Sequence, residues 1–262
     1  MPLMSAYFAP NVLAEAVYPL PFVIWYLWLA PNVLCALVLV VAFRKKCLNT
    51  LPLFFSFIGF SVLETVAGAS IRTLAVFNWY WVFTVLAESA LELAVIYELA
   101  NKLILSHSSL AGLLGPLPRW TAAVLLLLAT VGAALLPQPV RNQMVQGAVT
   151  LDFFHNLVNL GSLLAVLLVA RIVGVSWPSL PAGVALGLVV SALGNIAGDL
   201  RWGLTGRGFA AECVKLASWH ASVLVFLFYL RMSEKTLKTS EASLKVSELI
   251  PHSQKLQRLL QR

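Results

Sequence analysis

A chain of 262 residues that is 60% apolar and only 11% charged, with a mean hydropathy of +0.87, is not a soluble globular protein, which carries roughly a quarter charged residues. The same arithmetic excludes disordered, collagen-like and disulfide-stapled chains. The formal net charge of +7 is no footprint of nucleic-acid binding, because Arg231 and the tail beyond it set seven bases against Glu234, Glu241 and Glu248; a basic juxtamembrane tail meets anionic lipid headgroups instead.

In chain order, residues 1–20 read as an extracytoplasmic segment, 21–230 as a transmembrane domain and 231–262 as a basic amphipathic cytoplasmic tail. No Lys or Arg precedes Arg44, so the first apolar run lacks the basic flank of a cleaved signal peptide and is expected to remain. Seven runs, roughly 21–43, 51–71, 77–99, 120–136, 147–170, 178–200 and 208–230, approach or reach the length needed to cross a bilayer. Backbone groups cannot stay unpaired in lipid, so these spans are expected to be helices. The fold expected is an all-α, seven-helix polytopic bundle.

Orientation follows from the bases. With the N-terminus outside and the C-terminus inside, Arg44, Lys45, Lys46, Lys102, Arg119, Arg171 and the seven tail bases lie inside. Only Arg72, Arg141, Arg201 and Arg207 lie outside, as the excess of bases in cytoplasmic loops requires. Trp25, Trp28, Trp79, Trp81, Trp120, Trp177 and Trp202 fall near the expected interfaces. Residues 100–119 form the longest loop, broken by Gly115 and two prolines, and are expected on the inner surface. Cys35, Cys47 and Cys213 have no metal-ligand or C-x-x-C spacing. In the tail, Leu230, Leu237 and Leu244 are seven apart until Pro251 interrupts. A surface-lying helix, a homodimer contact and a docking site for a signalling partner are all compatible with that pattern.

Ionisable groups inside a membrane are costly and mark function by default. The spans carry Glu64, Glu88, Glu92, Asp152, His155, Asp199, Glu212, Lys215 and His220. On the expected topology these lie from mid-membrane outward, and Glu98 alone lies towards the inner end. Asp152, His155, Asn156 and Asn159 fall at i, i+3, i+4 and i+7, one helical stripe. Trp81, Glu88 and Glu92 share a face of the third span, and Ser191, Asn195 and Asp199 step by four on the sixth. On the seventh, Glu212 and Lys215 are one turn apart and able to pair, with Trp219 a turn below. The sixth span also reads Gly183-x-x-x-Gly187-x-x-x-Ser191 and, taken as another face, Gly194-x-x-x-Gly198; small residues at this spacing let helices approach closely.

Six carboxylates against one lysine and two histidines leave negative charge that packing does not require. The competing account is that buried Asn and His only join helices, each bond contributing about 0.6–2 kcal/mol. The expectation is a sensor or receptor-like protein, without catalytic residues, that holds a small polar or cationic ligand in an outward-facing cavity and signals through a cytoplasmic partner. Its contact residues are expected to be Glu88, Glu92, Asp152, His155, Asn156, Asn159, Asp199, Glu212, Lys215 and His220. No cofactor is assigned. A metal at Asp152-x-x-His155 and Glu88-x-x-x-Glu92, or a haem between His155 and His220, stays open, as does a proton-coupled transporter.

Lys215 on a seventh span, acids on the third and the stretch Trp81-Val82-Phe83-Thr84 resemble a microbial rhodopsin, which implies a retinal Schiff base on the lysine. Tyr80 stands where that family's counterion aligns, however, and Ala211 where its second carboxylate does. Through Ala94-Val95-Ile96-Tyr97-Glu98-Leu99 and the Gly-rich sixth span, most of the chain resembles a group of bacterial seven-helix membrane proteins that brings no activity with it. That resemblance implies the architecture and a bacterial inner membrane.

Overall fold

A computed structural model describes residues 21–71, 74–105, 143–172, 177, 179–205 and 210–232. Six α-helices make up most of it: α1 (Pro21–Arg44), α2 (Pro52–Ser70), α3 (Leu74–Ala100), α4 (Gln143–Ile172), α5 (Leu180–Thr205) and α6 (Ala210–Met232). They fall on six of the seven apolar ranges. The remaining range, 120–136, lies outside the described residues, as do segment 1–20 and the tail beyond 232.

Local chemistry sets the ends. Pro52 opens α2 at its first position, where a missing N–H costs nothing. The next two amides, Leu53 N and Phe54 N, donate at 3.3 and 3.0 Å to the carboxylate of Glu98 on α3. A buried acid from another helix thus does the work of a side-chain N-cap and meets the positive end of the helix dipole. The end of α1 is a Schellman turn: Cys47 N donates to Ala42 O, Lys46 N to Phe43 O, and Lys46 takes the left-handed φ of 55° that more often belongs to glycine. Past Ala100 the third helix continues as a π turn, Asn101–Leu105, which brings Leu103 into the core.

The burial pattern is inverted relative to a soluble protein. Phe43 and Leu63 are 73% and 69% exposed, with Val33, Trp79, Phe83, Leu168 and Phe228 among the other large apolar side chains on the outside. Glu64, His155, Asn159, Asp199 and Lys215 are buried. Apolar surface on this scale needs a non-aqueous surround. Thr150–Ile172, Leu180–Arg201 and Ala210–Met232 are each long and apolar enough to cross a bilayer, which makes this a membrane protein by length and composition.

The helices pack in sequence, α1 on α2, α2 on α3, α3 on α4 and α4 on α5. At one end their inner faces close into an apolar core of Val38, Phe54, Phe57, Leu99, Leu163 and Phe226. There the Phe54 and Phe226 rings meet edge-on with centroids 5.0 Å apart, and Trp219 packs edge-on against Phe57. Lys45 Nζ donates to Leu230 O at 3.2 Å, tying the α1 turn to the last turn of α6.

The glycines of α5 correct the sequence expectation of two faces. Gly183 lies against Tyr229, Gly187 against Phe226, Gly194 against Ser218 and Gly198 against Lys215 and the Ala211 carbonyl. All four face α6, in antiparallel register. Gly183 and Gly194 are eleven residues apart, close to three whole turns, so they share a face. A Cβ at Gly198 would stand 2.9 Å from the backbone oxygen of Ala211, which cannot move aside.

Candidate functional site

The other half of the bundle holds the polar residues, arranged as two linked groups. The first joins α3 to α4. His155 Nε2 lies 2.7 Å from Glu92 Oε2, Asn159 Nδ2 donates to the same carboxylate oxygen, and Asn159 Nδ2 is also 2.7 Å from His155 Nε2. The stripe of Asp152, His155, Asn156 and Asn159 therefore faces inward, with its second and fourth members aimed at α3. Asn159 is 2% exposed, and its Oδ1 has no hydrogen-bond partner among the described residues.

The second group joins α4, α5 and α6. Asn156 Nδ2 donates to Asp152 O at 2.8 Å and to Asp152 Oδ1 at 3.1 Å. Asn195 Nδ2 on α5 donates to Asn156 Oδ1 at 3.0 Å. Held this way, Asp152 presents Oδ2 to Lys215 Nζ at 3.6 Å, and Asp199 on α5 makes the closer ion pair with the same ammonium. Lys215, 7% exposed, crosses Gly198 to reach Asp199; no larger residue leaves that path open. The expected Glu212–Lys215 pair is not the one formed. The ammonium is taken instead by Asp152 and Asp199, which approach from the neighbouring helices. Glu212 stays within electrostatic reach of Lys215 and Asp152.

Glu88, one turn before Glu92, is within electrostatic reach of Glu64, Glu92 and Asp152. Two residues outside the expected contact set, Tyr80 and Thr84, complete this region. Thr84 hydrogen-bonds the Glu64 carboxyl, and the Tyr80 hydroxyl donates to the Glu64 backbone carbonyl while its ring fits against Gly68. Both were open to discovery, because Tyr80, Thr84, Glu88 and Glu92 step by four along one face of α3.

His220 stands apart from these bonds: its Nδ1 is 2.7 Å from the Leu216 carbonyl of its own helix. Trp219 belongs to the apolar half through Phe57 and Phe226. A narrow crevice runs from Glu92, Asn156 and Asn159 down to Ile96, Leu163 and Leu188. Among the described residues no three His, Cys, Asp or Glu side chains cluster as a metal site would need, so any ion here would also have to use an amide oxygen. The chain matches no protein-family model, no curated protein and no solved structure.

Proposed function

We propose that this is a seven-span protein of the bacterial inner membrane, N-terminus out and C-terminus in, with 120–136 as the fourth span. In this reading it is a sensor that takes a small cation into its outward polar half and signals through the cytoplasmic tail to a partner or a second copy. The observation that carries it is charge. Glu64, Glu88, Glu92, Asp152, Asp199 and Glu212 share one half of the bundle, with Lys215 drawn in between Asp152 and Asp199. Carboxylates removed from water need a neutralising partner, and an external cation supplies one.

Orientation is supported by the opposite end of the bundle, where Arg44, Lys45, Lys46, Lys102, Arg171 and Arg231 gather. A transporter fits less well, because Phe54, Phe57, Leu99, Leu163 and Phe226 fill the path below the polar half.

Thermal unfolding of the full chain in detergent, against sodium, calcium, zinc and putrescine, tests the reading. At about 100 times its Kd a bound cation stabilises by ~2.7 kcal/mol, a rise of several degrees. Asp152→Asn and Glu88→Gln are expected to fold and to lose that rise. Without cation, Glu88→Gln is expected to match or exceed the parent in Tm, since it removes a charge set among other carboxylates. Misfolding of both variants, together with no response of the parent to any cation, would assign these residues to helix joining alone.

A further inference from the structure

Glu92 Oε2, His155 Nε2 and Asn159 Nδ2 touch one another pairwise, and with Glu92 ionised three such contacts cannot all be hydrogen bonds. If Nε2 carries the imidazole proton, it donates to Glu92 and has no lone pair for the Asn159 amide. If Nε2 is bare, it accepts from Asn159 and meets the carboxylate lone pair to lone pair. A proton on Glu92 lets Oε2 donate to a bare Nε2, whose single lone pair must then be shared with the Asn159 amide. None of these assignments gives the buried Asn159 Oδ1 a partner.

One half-turn of the Asn159 amide changes the set. Oδ1 then stands with Glu92 Oε2 and His155 Nε2, and a carboxylate oxygen, an imidazole nitrogen and an amide oxygen present lone pairs to a common point. We propose that Glu92, His155 and Asn159 bind a divalent first-row transition-metal ion. This rests on the reading of the polar half as a cation site and names the cation.

The donor chemistry selects the class. Imidazole favours zinc, iron, nickel and copper over calcium and magnesium, while the two oxygens need no soft metal. Bond lengths of about 2.0–2.2 Å to such donors ask for a small outward movement of three side chains and no new cavity. The crevice beside them is narrow, which suits an ion better than a polyatomic ligand. Glu88, within electrostatic reach of Glu92, and Asp152, within electrostatic reach of His155, offset the rest of the ion's charge.

The test is a zinc titration of the chelator-stripped full chain in detergent, with cobalt absorption as a second measurement. One zinc per chain and a cobalt spectrum of nitrogen and oxygen ligation are expected. His155→Gln is expected to weaken binding by more than the 10–100-fold typical of residues that only support a ligand. Asn159→Asp, which keeps an oxygen donor, is expected to retain zinc, and Asn159→Leu to lose it. Zinc binding untouched by His155→Gln overturns the proposal, and so does parent protein that binds neither metal. If zinc fails while sodium, calcium or putrescine still raises Tm through Asp152 and Glu88, the metal assignment falls and the sensor reading stands. If none of them acts, both fall.

Discussion

The half of the bundle around Phe54, Phe57 and Phe226 and the half around Glu92 and Lys215 use the same helices but are held by opposite means. In the first, aromatic edges and aliphatic side chains interlock, and the polar links sit at helix ends, Glu98 on the start of α2 and Lys45 on the end of α6. In the second, helices meet through ion pairs and amides, His155 with Glu92 and Lys215 with Asp199 and Asp152. Lipid is as apolar as leucine, so the first half owes its cohesion to close packing rather than to escape from water. The second owes its cohesion to charges that have nowhere else to go. The stability of one half is set by shape, and that of the other by charge.

Substitutions separate the two. Phe226→Ala removes a ring that contacts Phe54, Trp219 and Gly187 and is expected to cost about 3 kcal/mol, read as reversible unfolding in detergent. A cost as large as that from Glu88→Gln in the polar half, where a neutral or stabilising effect is expected, would erase the distinction. Glu98→Gln keeps the shape but trades a charged acceptor for a neutral one at two amides, and is expected to cost about 1–2 kcal/mol. Because Glu98 is an acid in the apolar half, a Tm rise in that variant would show that burial of charge, not its place, governs the response.

The smallest effect concerns sidedness. Cys47 lies in the α1–α2 turn, and burial pushes its thiol above the ordinary range, so less thiolate forms at neutral pH. Membrane-impermeant maleimide is expected to label it slowly, faster as pH rises, and only from the face that carries Arg44 and Lys46. Labelling from the opposite face would reverse the orientation.

The stripe Asp152, His155, Asn156, Asn159 could be read from spacing alone, because a helical repeat is local and the structure keeps it on one face. The partners could not. Glu212 is the nearest acid to Lys215 in sequence, yet Asp199 and Asp152 take the ammonium, and that choice depends on how α4 and α5 sit beside α6. Tyr80 and Thr84 extend the Glu88–Glu92 stripe by steps of four, but an uncharged side chain in a span carries no signal of its own. Gly183 and Gly194 were assigned to different faces when eleven residues return a helix almost to its starting angle. Glu98 looked anomalous because an N-cap supplied by a different helix leaves no trace in local sequence.

The Lys215–Asp199 pair also bears on how the chain enters its membrane. Asp199 sits on α5 and Lys215 on α6, in adjacent helices that run back along each other. Inserted singly, each helix would carry an unpaired charge into the membrane, a cost that approaches about 2.5–3.5 kcal/mol only at the helix centre by translocon scales. Inserted as a hairpin, they cancel that charge before lipid surrounds it. The glycine seam that lets Lys215 lie across Gly198 thus gives α5 and α6 an energetic reason to insert as a pair.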